Sequence, residues 1–286
     1  MKISVVITTF NRPEFLKEAL IGVSHQDLFA HEIIIIDDCS TRSYHAVFPL
    51  IDKLHARYLK QKTGIGANAA RNIGIKEASG DIIAFLDDDD VWLPSYLKTI
   101  HEEFLNGAAA VVSGFKQLGK EEVIVTNKDL IVTKASLLRG NTYCGMSGFS
   151  ARRELLLVNP FDELLNNGQD WDMYVRLFQQ GVKFKNIPKP VFLYRFQNED
   201  GIGAKVRKMK PADIDKRLGS AYKHKTFLGD YWFKKRVSEQ ILFSLKHKKT
   251  KLLWISKSIE IAGIRATFYF FLNVVRRKVT NKPMSL

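Results

Sequence analysis

Four aspartates, Asp87 to Asp90, stand in a row inside FLDDDDVW. Each carboxylate repels its neighbours, and a buried one needs a cation, hydrogen bonds or a proton. Phe85-Leu86 before the run and Val91-Trp92-Leu93 after it are apolar, so the acids are flanked by residues bound for the interior. Either the run is a solvated turn, or something positive sits against it. In an extended chain Asp87 and Asp89 face one side and Asp88 the other. Two oxygens on one side suit a hard divalent ion, Mg²⁺ or Mn²⁺, which completes its shell with water and substrate phosphate. A second acidic pair, Asp37-Asp38, ends the isoleucine run of EIIIIDD. It suits an Asx turn or a helix cap for the segment after Cys39-Ser40-Thr41. It equally suits a carboxylate that accepts a uracil imide N–H or sugar hydroxyls.

These acids need elements to hold them. The pattern predicts strands over 3–10, 32–38, 56–62 and 81–86, with helices over 13–25, 43–55 and 67–78 and another from about Pro94. Strands alternating with amphipathic helices imply a parallel sheet covered on both faces, and the Ile/Val runs fit strands buried on both sides. Ligands of such sheets bind beyond the carboxyl ends of the strands. Those ends are Thr8-Thr9-Phe10-Asn11, Asp37-Asp38-Cys39-Ser40 and Asp87 to Asp90, so three strands deliver acids and hydroxyls to one edge. Beyond about residue 107 the pattern changes to a hairpin around Gly119, a strand running into a short helix at GMSGFSARREL, the helix QDWDMYVRLFQQG and a strand KPVFLYR. Residues 196–210 read as a loop, and everything after 211 reads as helical.

Several chemistries are excluded. No glycine follows the first strand, so the Gly-rich turn of a dinucleotide site is missing. No GxxxxGK[ST] occurs, and GMSGF fails the last position of a nucleophile elbow. With no backbone cradle, a metal and basic side chains must hold any diphosphate. Two cysteines, Cys39 and Cys144, make neither a disulfide framework nor a zinc site, which fits a reducing compartment. The N-terminal run is β-branched and lacks a cleavage site, so it reads as a strand and not as a signal peptide.

ISVVITTFNRP, EIIIIDDCST, GIGANAARNIGIKEASGDIIAFLDDDDVWLP and FDELLNNGQDWDMYVRL together resemble the family 2 glycosyltransferases of the GT-A fold, over roughly residues 2–195. The resemblance implies an α/β domain over 1–204, with a nucleotide- and metal-binding half to about 107 and an acceptor half from about 108. It implies inverting transfer of a hexosyl or N-acetylhexosaminyl group from a nucleoside diphosphate donor, with UDP expected. By motif position, Thr8 and Phe10 would line the base pocket and Asp38 would bind the base. Arg71 would belong to the nucleotide site. Asp87-x-Asp89 would be the metal motif, with Asp89 the direct ligand of Mn²⁺ or Mg²⁺ and Asp88 near the ribose or sugar. Asp170 would be the general base, although on its own it suits the N-cap of the helix that follows. Two departures stand out. Gln169 replaces a frequent glutamate, and FQNEDG after Tyr194-Arg195 lacks the histidine many relatives carry. Diphosphate contact then falls to Lys205, Arg207 or Lys208.

The chain of 286 residues carries a net charge of +14. From Lys205 onward there are 21 Lys/Arg against 5 Asp/Glu, leaving the first 204 residues at −2. A neutral body with a basic tail (205–286) implies an anionic surface met by one end of the protein. The tail interleaves Trp, Phe and Leu with Lys and Arg, the pattern of an interfacial helix on anionic lipid. A packed helical appendage is the alternative. Nucleic acid is disfavoured, since charge alone suggests it. The expected setting is the inner face of a bacterial membrane, with a glycan or lipid-linked acceptor of surface polysaccharide or lipopolysaccharide synthesis. The rival functions are a non-catalytic nucleotide- or lipid-binding relative and a sugar-nucleotide pyrophosphorylase, whose Gly-rich loop is absent.

Overall fold

The isoleucine and valine runs lie side by side as strands. A computed structural model describes residues 1–196 and 206–280 of the chain. β1 (Ile3–Thr9), β2 (Glu32–Asp37), β3 (Arg57–Lys60) and β4 (Ile82–Asp87) are parallel, in the order β3-β2-β1-β4. In register, Thr9 pairs with Asp37 and Thr8 with Asp87, so three carboxyl ends finish level. Val5, Ile7, Ile34, Ile35, Ile36 and Ile83 are fully buried. Each such side chain contributes about 1.5–3 kcal/mol relative to exposure. The strand order reverses between β1 and β4, the crevice where open α/β sheets take ligands.

The sheet continues through β5 (Val91–Trp92), β6 (Ala110–Gln117), β7 (Lys120–Val125), β8 (Ser150–Arg152) and β9 (Phe184–Tyr194). Beyond β4 the order is β8-β6-β9-β5, with β7 on β6, and this half mixes parallel and antiparallel pairs. The hairpin expected at Gly119 forms, with φ of +77° there. Helices α1 (Pro13–Ser24), α2 (Phe48–Lys53), α3 (Ala67–Glu77), α4 (Tyr96–Leu105), α5 (Lys134–Arg139), α6 (Arg153–Val158) and α7 (Gln169–Gln179) are interspersed. α3 lies so close to the sheet that a methyl on Gly74 would stand 2.3 Å from Val6 Cγ1.

Two expectations fail locally. The second helix starts at Phe48, not 43, because Pro49 is tolerated only in a first turn. The four aspartates do not continue an extended strand. Asp90 N donates to Asp87 O at 3.2 Å, closing a turn, so side chains no longer alternate strictly across it.

The chain forms two compact units. The first comprises Met1–Thr133, Tyr143–Glu163 and Arg176–Phe196, and holds the whole sheet. The second comprises Lys134–Thr142, Leu164–Val175 and Gln197–Leu286. Two segments from within residues 1–204 thus group with the C-terminal helices, and Asp170 is on one of them. α8 (Asp215–Lys223), α9 (Lys225–Leu242), α10 (Lys251–Ala262) and α11 (Ile264–Thr280) complete this unit. α9 is kinked at Gly229, where φ is +65°. Ser258 Oγ lies 3.2 Å from Ser238 Oγ and 2.8 Å from Thr267 Oγ1, a small polar knot that lets α9, α10 and α11 approach closely. The buried Asp172 carboxylate meets His224 Nε2 at 2.7 Å and Lys223 Nζ at 2.9 Å, tying α7 to the α8–α9 junction. Among the described residues, no helix is long and apolar enough to cross a membrane.

Candidate active site

The turn after β4 is where the sheet's polar edge concentrates. Thr9 Oγ1 donates to Asp88 Oδ2 at 2.7 Å and lies 2.6 Å from the Tyr44 hydroxyl. Arg12 Nη1 donates to Asp89 Oδ2 at 2.9 Å and to Asp88 Oδ1 at 3.3 Å. Arg71 Nη2 donates to Asp87 Oδ1 at 2.6 Å, and its guanidinium lies over the Phe161 ring. Asp90 accepts from Ser147 Oγ at 2.6 Å and from Arg195 N at 2.9 Å, while Arg195 Nε donates to the Asp89 carbonyl at 2.9 Å. The solvated-turn reading fails on burial, since Asp88 and Asp90 are 5% and 1% exposed.

Even so attended, the cluster holds too much negative charge. Burial first, then repulsion by Asp89, pushes the Asp88 carboxyl up to about 7 against the pull of Thr9 and Arg12. Burial and Asp87 raise Asp89, and Asp90 is raised well above the usual carboxylate range by burial and both neighbours. A divalent cation fits this donor set, because hard oxygens with surplus charge are what Mg²⁺ and Mn²⁺ take. Among the described residues, no three His, Cys, Asp or Glu side chains converge as a cage.

The expected nucleotide residues are near one another in this unit. Thr8 is half-buried and Phe10 half-exposed at the end of β1, and Asn11 beyond them takes φ of +57°. Asn11 Oδ1 accepts from the Thr41 and Arg42 amides at 2.8 and 2.9 Å, stitching the β1 and β2 ends together. Asp37 makes the Asx turn, accepting from Ser40 N at 2.9 Å and from the Tyr58 hydroxyl. Asp38 instead accepts from the Ile65 and Gly66 amides at 2.6 and 2.9 Å, which orients the entry to α3 and with it Arg71. Asn72 beside Arg71 clamps the Phe161 backbone in both directions. Trp92 is core: it stacks on Tyr96 and donates to the Ser147 carbonyl.

In the second unit, Asp170 sits in the first turn of α7 and not at its cap, which is Gly168: Asp172 N donates to the Gly168 carbonyl. Its Oδ1 accepts from Trp171 N at 2.7 Å and its Oδ2 from Asn141 Nδ2 at 2.6 Å. Trp171 and Tyr174 are buried, as core residues are. Arg207 and Lys208 are exposed, and Lys205 lies outside the described residues.

Sequence reading missed Thr9, Arg12, Tyr44, Ser147 and Arg195. Thr8 is expected at the base pocket, and the hydroxyl that meets the acids is that of its neighbour Thr9. Arg12 carried a signal, directly after β1 in FNRP; Ser147 and Arg195 meet the acids across 57 and 105 residues of chain.

The sequence profile of the family described as Glycosyl transferase family 2 matches residues 4–158, more than half of the chain. This chain is a family 2 glycosyltransferase. It transfers sugar from a nucleotide-sugar donor. The uncharacterised glycosyltransferase YwdF of Bacillus subtilis is 34% identical over 69% of this chain and 75% of its own. The GalNAc(5)-diNAcBac-PP-undecaprenol beta-1,3-glucosyltransferase of Campylobacter jejuni is 31% identical over 70% of this chain and 67% of its own. Among solved structures, Staphylococcus aureus TarS 1–349 in complex with UDP-GlcNAc aligns with a TM-score of 0.68 at 20% identity, over 93% of this glycosyltransferase and 83% of that chain. The mannosyltransferase PcManGT of Pyrobaculum calidifontis, in complex with GDP-Man and Mn²⁺, aligns with a TM-score of 0.61 at 15% identity, over 96% and 80%. The GT-A-like α/β fold, a mostly parallel sheet flanked by helices with a helical C-terminal region, is thereby the fold of this glycosyltransferase.

Proposed function

We propose that this enzyme is an inverting glycosyltransferase that moves a hexosyl or N-acetylhexosaminyl group from a UDP-sugar to a hydroxyl of a lipid-linked or glycan acceptor at the inner face of a bacterial membrane, in surface polysaccharide or lipopolysaccharide synthesis. The observation that carries it is the over-charged Asp87–Asp90 turn at the carboxyl ends of β1 and β4, a site built to receive a cation with an anionic ligand. Thr8, Phe10, Asp38 and Arg71 are assigned to the nucleoside. Asp38, held by two loop amides, keeps lone pairs for an imide or ribose donor. Asp88 is assigned to the ribose or sugar. Asp89, with Asp87, would hold Mn²⁺ or Mg²⁺, whose chemistry when bound is to stabilise charge on the departing diphosphate. Arg12 bridges Asp88 and Asp89, and its guanidinium would attend the phosphate oxygens of the donor there.

Asp170 is assigned as the general base. Asn141 Nδ2 and the Trp171 amide fix its two oxygens at the start of α7, where the carboxylate would take the acceptor proton. The hydroxyl attacks the anomeric carbon as its proton passes to Asp170, the bond to the diphosphate breaks, and the configuration inverts. The relative in Campylobacter jejuni is named for a diphosphoundecaprenol acceptor and TarS is solved with UDP-GlcNAc, which favours a lipid diphosphate acceptor and a UDP donor here. Apolar side chains on α10 and α11 stand in solvent, Leu252 82% exposed with Leu253, Ile264, Phe268 and Tyr269. They accompany the basic charge of the tail and suit insertion between anionic headgroups.

Thermal shift with UDP, GDP and their sugars, with and without Mn²⁺, tests the donor. A bound ligand at a hundredfold excess over its Kd adds about 2.7 kcal/mol of apparent stability. UDP is expected to stabilise the protein only with the metal, and a GDP-selective response would reject the assignment.

A further inference from the structure

GMSGF fails as a nucleophile elbow, yet its serine is drawn into the aspartate turn. Ser147 is fully buried, in a single helical turn over Met146–Gly148. Its hydroxyl accepts from Asp87 N at 3.1 Å and donates to Asp90 Oδ2 at 2.6 Å. Its carbonyl accepts from Trp92 Nε1 at 2.7 Å. One residue thus holds the first aspartate, the last aspartate and the strand that leaves the turn. The serine itself has little room to shift. A methyl on Gly148 beside it would stand 2.6 Å from Phe192 Cε1 and 2.8 Å from Ser113 Oγ.

Asp90 is set apart from its three neighbours. Asp87, Asp88 and Asp89 send their carboxylates to Arg71, Thr9 and Arg12. Asp90 is 1% exposed, and its Oδ1 accepts from Arg195 N at 2.9 Å while its Oδ2 accepts from Ser147. Each of its oxygens faces a donated proton inside the fold. Arg195 adds a further tie. Its Nε donates to the Asp89 carbonyl at 2.9 Å, and its guanidinium is seated over the Phe15 ring and paired with Glu18. The turn is therefore fixed at Asp87 N, at Asp89 O and at the Asp90 side chain. The groups that fix it come from 57 and 105 residues away in the chain.

We propose that Asp90 and Ser147 are positioning residues for the cation of this glycosyltransferase, holding the turn in the shape that presents Asp87 and Asp89. The proposal rests on the reading of those two carboxylates as the metal ligands. Four adjacent carboxylates repel one another and, unrestrained, would splay. A hard ion such as Mg²⁺ demands near-ideal ligand geometry, so carboxylates offered from a loose turn bind it poorly. Groups that orient ligands without touching the ion typically govern its affinity by about 10–100-fold. Asp90 is then a fold-facing residue in a run that looks like four equivalent acids. Its carboxylate serves as the acceptor of two hydrogen bonds, and its charge has no direct part in holding the ion.

Calorimetric titration of Mn²⁺ into the full chain, with UDP present, tests this on three variants. Ser147→Ala unties both ends of the turn and should weaken Mn²⁺ by about tenfold or more. Asp90→Asn removes the charge but keeps an oxygen for Arg195 N and an amide for the Ser147 hydroxyl, which has a lone pair to spare. It should hold Mn²⁺ within about threefold, well inside the loss expected of an untied turn. Arg195→Met removes a positive charge beside the site, which on charge alone would tighten a cation. Loss of its tie to the Asp89 carbonyl should instead weaken Mn²⁺ severalfold, and this variant decides should Ser147→Ala not fold. A melting curve in EDTA checks that each variant is folded. Wild-type Mn²⁺ affinity in Ser147→Ala, or tighter binding in Arg195→Met, overturns the clamp. A loss in Asp90→Asn as large as that in Ser147→Ala makes Asp90 a ligand and overturns its positioning role. A wild type that binds UDP but no Mn²⁺ rejects the metal reading itself, and the clamp with it.

Discussion

The two units of this glycosyltransferase place their charged groups differently. In the sheet unit four aspartates share one turn and are attended by Arg12, Arg71 and Arg195, yet three of them remain pushed up. In the helical unit Arg217 and Arg236 are half-buried, and their Nε atoms lack a hydrogen-bond partner among the described residues. The contrast teaches that net charge is a poor guide to a site. The body is nearly neutral and the tail strongly basic, but what matters is where a charge is buried without enough of its opposite. In the sheet unit that charge is the Asp87–Asp90 turn.

The sharpest way to break the first half of that comparison is to withhold the cation. EDTA should reduce sugar transfer to background and Mn²⁺ should restore it; Asp89→Asn should remove most of the metal-dependent rate, measured by release of UDP. Full activity in EDTA would mean that arginines alone carry the leaving group. Next in size is Asp170→Asn, expected to lower transfer by roughly 10²–10⁴ while donor affinity stays nearly constant. Asn can still accept the Trp171 amide, so the melting temperature should barely move; a near-normal rate would leave Asp170 a structural residue of α7.

A smaller effect separates the tail from both centres. Each Lys or Arg near an anionic surface contributes about 1 kcal/mol, and salt screens it. The full chain should float with phosphatidylglycerol vesicles at low salt and release at high salt. Leu252→Ser with Phe268→Ser should weaken flotation without changing UDP binding. Equal binding to neutral vesicles would count against an electrostatic dock. The smallest effect is on stability. The Asp88 carboxyl is raised to about 7 in the folded, metal-free protein, so between about pH 4 and pH 7 the folded state holds a proton the unfolded state has lost. Stability in EDTA should therefore fall as pH rises through that window, and added Mn²⁺ should flatten the slope. A melting curve that improves from pH 4 to pH 7 in EDTA would contradict the burial of Asp88.

Most of the sheet unit was legible because its signals are local. Four isoleucines ending in Asp37 make a buried strand in any context, and four adjacent aspartates announce a charge problem before any fold is known. The half beyond β4 was legible as a list of elements but not as a sheet order, since β8, β6 and β9 pair across long stretches of chain. The role of Thr9 was not legible, because the twist and register that point its hydroxyl at Asp88 are not written in neighbouring letters. Arg217 and Arg236 were read as two among many tail cations. Nothing in KRLGS or KKRVS distinguishes a solvated arginine from a half-buried one, and only the packing of α8 and α9 does.

Gly74 has a consequence at a distance from itself. Its missing methyl lets α3 settle against Val6, and one helical turn earlier the same helix presents Arg71 to Asp87. The spacing between helix and sheet is thus a ruler for the ion pair at the strand ends. Gly74→Ala would lengthen that ruler from inside the core, touching no ligand and removing no charge. The enzyme would then register a single carbon as a change in how tightly it holds its donor.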